Sequence, residues 1–119
     1  MCVNSEKKYM FPTEKRKAML DAMCAHLENV STDMTDGLVA DYVKNNGIGV
    51  IVKGARNGTD FDYELTLAKV NKLLCSVETV ILPANAELAH VSSLVAREMI
   101  RHSANIEEYL TDEVIKLIK

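Results

Sequence analysis

Two short β-branched runs, Ile48 to Val52 and Glu78 to Leu82 (ETVIL), flank a stretch from about Thr59 to Leu74 with a helical apolar pattern. A strand, a helix and a second strand in that order join most simply as a βαβ unit, whose strands lie parallel. The first run lacks polar alternation, the pattern of a strand covered on both faces. Other segments extend the alternation. Residues 13–28 read as a helix opened by Pro12 and Thr13, with Leu20, Met23, Cys24 and Leu27 on one stripe. Residues 29–32 fit a short strand, and 37–45 a helix stopped by Asn46-Gly47. Residues 91–102 read as a helix capped by Ser92 or Ser93, and 105 to the end as a helical tail. The expectation is an α/β domain spanning residues 1–119, with a largely parallel sheet and C-terminal helices.

Composition narrows the partners. A chain of 119 residues supports one domain with a modest core. Its formal charge of −3 is opposite in sign to the basic excess that phosphate-backbone binders carry, which argues against nucleic acid. No apolar run reaches the roughly 20 residues a spanning helix needs, so no membrane partner is expected. The start MCVNSEKKYMF has no signal-peptide core, which favours the cytoplasm. Cys2, Cys24 and Cys75 lack metal-ligand spacing and read as reduced thiols, and no metal-ligand set is expected.

The most chemically loaded stretch is VIVKGARNGTDFDYE, residues 50–64. In parallel sheets ligands bind beyond the carboxyl ends of strands, where loops pass into helices. Gly54 allows close backbone approach, Lys53 and Arg56 supply positive charge, and the next helix presents its amide end. Asp60, Glu64 and Asn71 form a polar stripe on that helix. Phe61, Leu65 and Ala68, with Leu67, Val70 and Leu74 beside them, form the broad apolar side. On pattern alone, two readings stand: an anion-binding corner, or a solvated cation pair with Glu64 facing water.

Lys53-Gly54-Ala55-Arg56-Asn57-Gly58-Thr59-Asp60-Phe61-Asp62-Tyr63-Glu64 resembles the central signature of bacterial phosphopantetheine adenylyltransferases, R-G-L-R followed by D-[FY]-[ED]-Y-E. The likeness runs along nearly the whole chain. Asn4-Ser5-Glu6-Lys7-Lys8-Tyr9-Met10-Phe11 resembles the family's Asn/Ser-Pro-x-Lys-Lys-x-x-Phe, and Glu14-Lys15-Arg16 its next helix start. Gly37-Leu38-Val39-Ala40-Asp41-Tyr42 is similar to G-L-[LM]-V-D-[YF], Ala68 to Leu74 to A-x-x-N-R-x-L, and Glu78-Thr79-Val80 to E-T-V. Val91-Ser92-Ser93, with Arg97-Glu98 and Arg101-His102, resembles the family's serine-rich helix start.

The resemblance implies a Rossmann-like, doubly wound nucleotidyltransferase sheet. The reaction it implies moves the adenylyl group of ATP to 4′-phosphopantetheine, giving dephospho-coenzyme A and pyrophosphate, with magnesium (Mg2+) assisting. The family forms no covalent intermediate, so catalysis rests on placing two anions and stabilising charge during in-line attack. By resemblance, Lys7 meets the phosphopantetheine phosphate and the α-phosphate. Lys53 grips phosphopantetheine, and Val39 contacts it through its backbone. Gly54, Ala55 and Arg56 line the ATP site, and Glu64 helps hold the nucleotide. The loop Leu88, Ala89, His90, Val91, Ser92, Ser93 and Leu94 covers the adenine and triphosphate. A homohexamer and feedback by coenzyme A are further family expectations.

Several positions depart from the family pattern. Lys53 lacks an arginine's bidentate fork. Leu94 stands where a third serine is usual, and Leu88 where an aromatic residue often stacks on adenine. Each departure costs roughly 1–2 kcal/mol where the lost contact belongs to the transition state. The family's Gly-His pair, which binds the triphosphate, is absent from the sequence; the histidines are His26, His90 and His102. Met1-Cys2-Val3 resembles the tail of the family's second strand, so about forty residues, one βα unit, are expected to be missing. Neighbouring strands would then expose apolar faces and edges. Two functional expectations follow: an adenylyltransferase read from a complete protein, with little or no turnover by these residues, or an inactive remnant that binds coenzyme A-like ligands or itself. An unrelated flavodoxin-like binding module would require the motif matches to be accidental.

Overall fold

The computed structural model describes residues 1–4 and 6–119; Ser5, within the lysine-containing motif, lies outside the described residues. The chain divides into two compact units, one of residues 37–90 and one of residues 1–36 with 91–119.

The first of these holds the predicted βαβ unit. Helix α2 (Val39–Asn45) precedes strand β1 (Val50–Ala55), helix α3 (Gly58–Cys75) and strand β2 (Glu78–Pro83). The strands are parallel, in register from Val50 opposite Glu78 to Ala55 opposite Pro83. Beyond that register the Ala84 amide donates to the Ala55 carbonyl at 2.9 Å. Gly47 takes φ +61°, the left-handed geometry its stop signal implies. Helix α3 starts where the Asn57 side chain accepts from the Asp60 amide at 2.9 Å. It stops at Ser76, which adopts φ 58°. Ala40, Val43, Ala55 and Val77 are the buried apolar residues of this unit.

Two expectations about this unit are corrected. Helix α3 covers a single face of the sheet, so β1 is not buried on both sides. Along β1 exposed and half-buried residues alternate, and Val50, Val52, Val80 and Leu82 are 44, 57, 46 and 53% exposed on the uncovered face. The strand also begins and ends later than the run Ile48 to Val52. Pairing with β2 carries it through Lys53-Gly54-Ala55, so Lys53 and Gly54 are strand residues rather than loop residues.

The faces of α3 divide differently from the expectation. Of the expected apolar side only Leu67 and Ala68 are half-buried, beside Asp60, Glu64, Asn71 and Cys75, while Phe61, Leu65, Val70 and Leu74 are exposed. On the inward side Glu64 and Asp60 pair with Lys53 of β1 and with Arg56 at its corner, and apolar periodicity alone does not carry that information.

In the other unit, α1 (Thr13–Cys24) packs on α5 (Asp112–Ile118), and α4 (Ser93–Arg101) begins at an Ser92 N-cap whose Oγ accepts from the Val95 amide. Ala96, Val114 and Ile115 are buried. Helix α1 ends four residues before the expected Glu28, because the Leu27 amide turns back to the Cys24 carbonyl at 2.9 Å. Residues 29–32 form no strand. Thr32 instead hydrogen-bonds Lys17 and Asp21, and the local pairing is a parallel bridge between Cys2 and Thr35. The tail becomes helical only at Asp112, since Asn105 accepts from the Glu107 amide in a turn and Leu110 closes another onto Ile106.

Candidate functional site

The corner after β1 is held by charge. Lys53, on the sheet face that α3 covers, places its Nζ 3.2 Å from Glu64 Oε2. The approach is an ion pair without hydrogen-bond alignment, so a screened Glu64 oxygen lacks a donor. Two residues past Gly54, Arg56 grips Asp60 with a fork. Its Nε lies 2.8 Å from Oδ2 and its Nη2 3.3 Å from Oδ1, while its backbone amide also donates to Oδ2. These bonds hold the Asp60 carboxyl below its ordinary range and raise the Arg56 guanidinium. Asn57 completes the arrangement, because capping α3 through the Asp60 amide fixes where that carboxylate stands.

Glu64 does not face water, at 16% side-chain exposure, and each cation has a carboxylate partner on α3, although Lys53 and Arg56 stay 40 and 38% exposed. Arg56 opens onto a concavity of about 420 Å³ bounded by Ala55, Gly58, Phe61, Pro83 and Ala84. The exposed Phe61 supplies one wall, a role hidden while it is counted with the apolar core side. Gly54 has negative φ, and a Cβ there would meet nothing within 4 Å. The protein's own packing therefore sets no need for glycine, and the free space lies open to a ligand.

The remaining candidates separate by unit. Val39 is the first residue of α2; Leu88 closes a short 3-10 turn capped by Asn85, with Ala89 and His90 after it, in the unit that holds Lys53, Gly54, Ala55, Arg56 and Glu64. Lys7, Val91, Ser92, Ser93 and Leu94 belong to the other unit. There Lys7, Ser93 and Leu94 line one cleft, while the Ser92 hydroxyl accepts from the helix and keeps its proton to donate. Among the described residues, no three His, Cys, Asp or Glu side chains could hold a metal ion.

A parallel βαβ unit with a cationic corner at the strand's carboxyl end defines the class: an α/β protein of Rossmann-like type. Comparison with known proteins narrows it. A family described as Cytidylyltransferase-like matches residues 1–102. A phosphopantetheine adenylyltransferase of Paenarthrobacter aurescens is 41% identical over 114 residues, which are 95% of this chain and 69% of the relative. Proteins of the same name from an Arthrobacter species and from Pseudarthrobacter chlorophenolicus are each 39% identical over 95% of this chain, covering 72% and 69% of those relatives. The chain belongs to the phosphopantetheine adenylyltransferase family, within the nucleotidyltransferases.

Proposed function

We propose that this protein serves coenzyme A biosynthesis by transferring the adenylyl group of ATP to 4′-phosphopantetheine, releasing dephospho-coenzyme A and pyrophosphate. The family relationship across 95% of the chain is the observation that carries the reading. In this reading Arg56, Gly54 and Ala55 receive ATP phosphates, Lys53 and the Val39 backbone receive phosphopantetheine, and Glu64 borders the nucleotide. Lys7, Ser92 and Ser93 supply further phosphate donors, with Leu88 to Leu94 as the nucleotide loop.

Both corner cations are paired with carboxylates, so an incoming phosphate must take over a charge-assisted bond that α3 already provides. This exchange keeps the guanidinium oriented before ligand arrives and reduces the ordering needed on binding. Magnesium fits best as part of the substrate, carried on the triphosphate, since Mg2+ is commonly held through substrate phosphates and few protein carboxylates. Neutralising phosphate charge is the chemistry it supplies there.

The test is pyrophosphate release from ATP, magnesium and phosphopantetheine, alongside calorimetric binding of each substrate. Binding of both is expected, with Arg56→Ala lowering ATP affinity roughly tenfold or more through the lost charged bonds. Because these 119 residues contain no Gly-His pair, their turnover is expected to fall roughly 10²–10³-fold or more below that of a relative that carries one, the cost of a lost transition-state donor. A rate equal to the relative's would refute the histidine deficit, and absence of ATP binding would refute the site.

A second reading, a non-catalytic protein that binds coenzyme A-like ligands or itself, is favoured by the uncovered face of Val50, Val52, Val80 and Leu82. It requires ligand binding or assembly with zero turnover. A homo-oligomer, of the hexameric kind expected for the family, and a cytoplasmic place belong to the proposal. Among the described residues, no helix is long and apolar enough to cross a membrane.

A further inference from the structure

From Val3 to Pro12 the described residues form neither helix nor strand, yet this strip carries Lys7, the lysine read as meeting substrate phosphate. A lysine on irregular backbone reaches a phosphate reproducibly only where the chain on both sides of it is held. Upstream the hold is made by hydrogen bonds. The Val3 amide donates to the Thr35 carbonyl at 2.7 Å. Asn4 then accepts twice in a turn, from the Glu6 amide at its Oδ1 (2.9 Å) and from the Lys7 amide at its carbonyl (3.3 Å).

Downstream, side chains from the opening turn of α1 make the hold. The Arg16 guanidinium stacks over Tyr9, 3.7 Å from the ring centroid, and Lys15 Nζ stands 5.1 Å over the ring of Phe11. Two neighbouring cations thus meet two alternate aromatic residues of the strip. The Arg16 contact is the closer and the drier one. Arg16 is half-buried, its Nη1 is buried without a hydrogen-bond acceptor, and it pairs with no carboxylate among the described residues. Beside it lies an apolar recess of about 220 Å³ that Arg16 and Tyr9 line together with Met10, Phe11 and Met19. A guanidinium screened from water and free of a competing carboxylate gives its charge to the ring face, where the attraction grows with desolvation. Tyr9 falls at an open position of the Lys-Lys-x-x-Phe pattern, so the ring that Arg16 meets is a feature of this chain.

We propose that Arg16 is a positioning residue for substrate binding: stacked on Tyr9, it fixes the strip that carries Lys7 and so sets where the lysine ammonium meets the phosphate of phosphopantetheine. The inference rests on the reading that Lys7 meets that phosphate, and adds the clasp that holds it in place. Lys7 and Tyr9 stand two residues apart and line the same cleft, so a displaced ring moves the lysine with it. An ammonium placed before the ligand arrives has less freedom to lose on binding. Arg16 acts only through the ring and itself meets no substrate.

Calorimetric titration of the full chain with 4′-phosphopantetheine, repeated for single and double variants, tests the assignment without any need for turnover. Lys7→Ala should weaken binding roughly tenfold or more, the loss of a charged hydrogen bond. Tyr9→Leu and Arg16→Gln should each weaken it roughly three- to tenfold, as expected for a lost cation–π contact, and together by no more than either alone. Tyr9→Phe keeps the ring face and should bind as wild type does. In a Lys7→Ala background Tyr9→Leu should cost nothing further, which a ring that served only the fold or touched substrate directly would not give. Arg16 side-chain protons should show an upfield ring-current displacement by NMR, lost in Tyr9→Leu and kept in Tyr9→Phe. Thermal melts verify the fold of each variant, and Tyr9→Leu keeps the test informative if Arg16→Gln perturbs α1. Full binding by Tyr9→Leu where Lys7→Ala is weakened, or a Tyr9→Leu loss that persists without Lys7, would overturn the positioning role alone. Failure of wild type to bind, or full binding by Lys7→Ala, would remove the reading of Lys7 and the proposal with it.

Discussion

Asp60 answers to two partners: its backbone amide caps α3 through Asn57, and its carboxylate holds Arg56. Since Arg56 depresses the Asp60 pKa in the folded chain, the pair's stabilisation is complete above the ordinary value of 3.8 and is lost as pH falls through the lower folded value. Asp60→Asn should therefore flatten the acid limb of stability below about pH 4, measured as urea midpoint against pH. An unchanged limb would place the acid sensitivity on Asp21 or Glu113, whose carboxyls are also held low. Gly54 makes a contrasting case, since nothing in the fold occupies its Cβ position. Gly54→Ala should leave stability unchanged or raise it by about 0.5–1 kcal/mol while weakening ATP binding. Equal ATP affinity in calorimetry would show that no ligand uses that space. The charged residues were legible as a site because cations cluster around a glycine at a strand end. Their pairing was not, because Lys53 and Glu64 are eleven positions apart and meet only when α3 folds back along β1.

At the scale of elements, local chemistry set helix starts well. Asn57 and Ser92 each accept a hydrogen bond from the third residue beyond, the expected geometry of a helix cap. Ser92→Ala should destabilise α4 by about 1 kcal/mol, read from chemical denaturation; a change within experimental error would show that packing alone holds that start. Helix stops were less legible. Residues 25–30 continue an acceptable pattern but turn on two backbone bonds, Leu27 to Cys24 and Val30 to Leu27. The most instructive difference is α3. Its sequence has apolar residues on most sides, so periodicity does not choose a face. The fold resolves it, with Glu64 and Asp60 paired to Lys53 and Arg56 and with Phe61 and Leu65 left outward.

For the whole molecule, the notable property is how much apolar surface stays open. Val52 and Leu82 on the sheet and Leu73 on α3 are 57, 53 and 86% exposed, and the buried residues are few and small to medium in size. Apolar surface of this kind marks association sites in soluble proteins. Sedimentation at micromolar concentration should show species heavier than the monomer, and Val52→Lys should shift them toward it if the bare sheet face is the contact. A wild-type chain that remains monomeric would refute association.

The sequence by itself determined the strand–helix–strand order, the parallel pairing it entails, a serine cap for α4 and the family. Each of these depends on neighbouring residues or on motif spacing. Tertiary structure alone decided which face of α3 turns inward, which carboxylate meets each cation, and that β1 is covered on one side only. It also brought Lys7 and Arg97, ninety positions apart, to one cleft. Those outcomes depend on which surfaces meet after the chain folds back, and a linear pattern carries no term for that meeting.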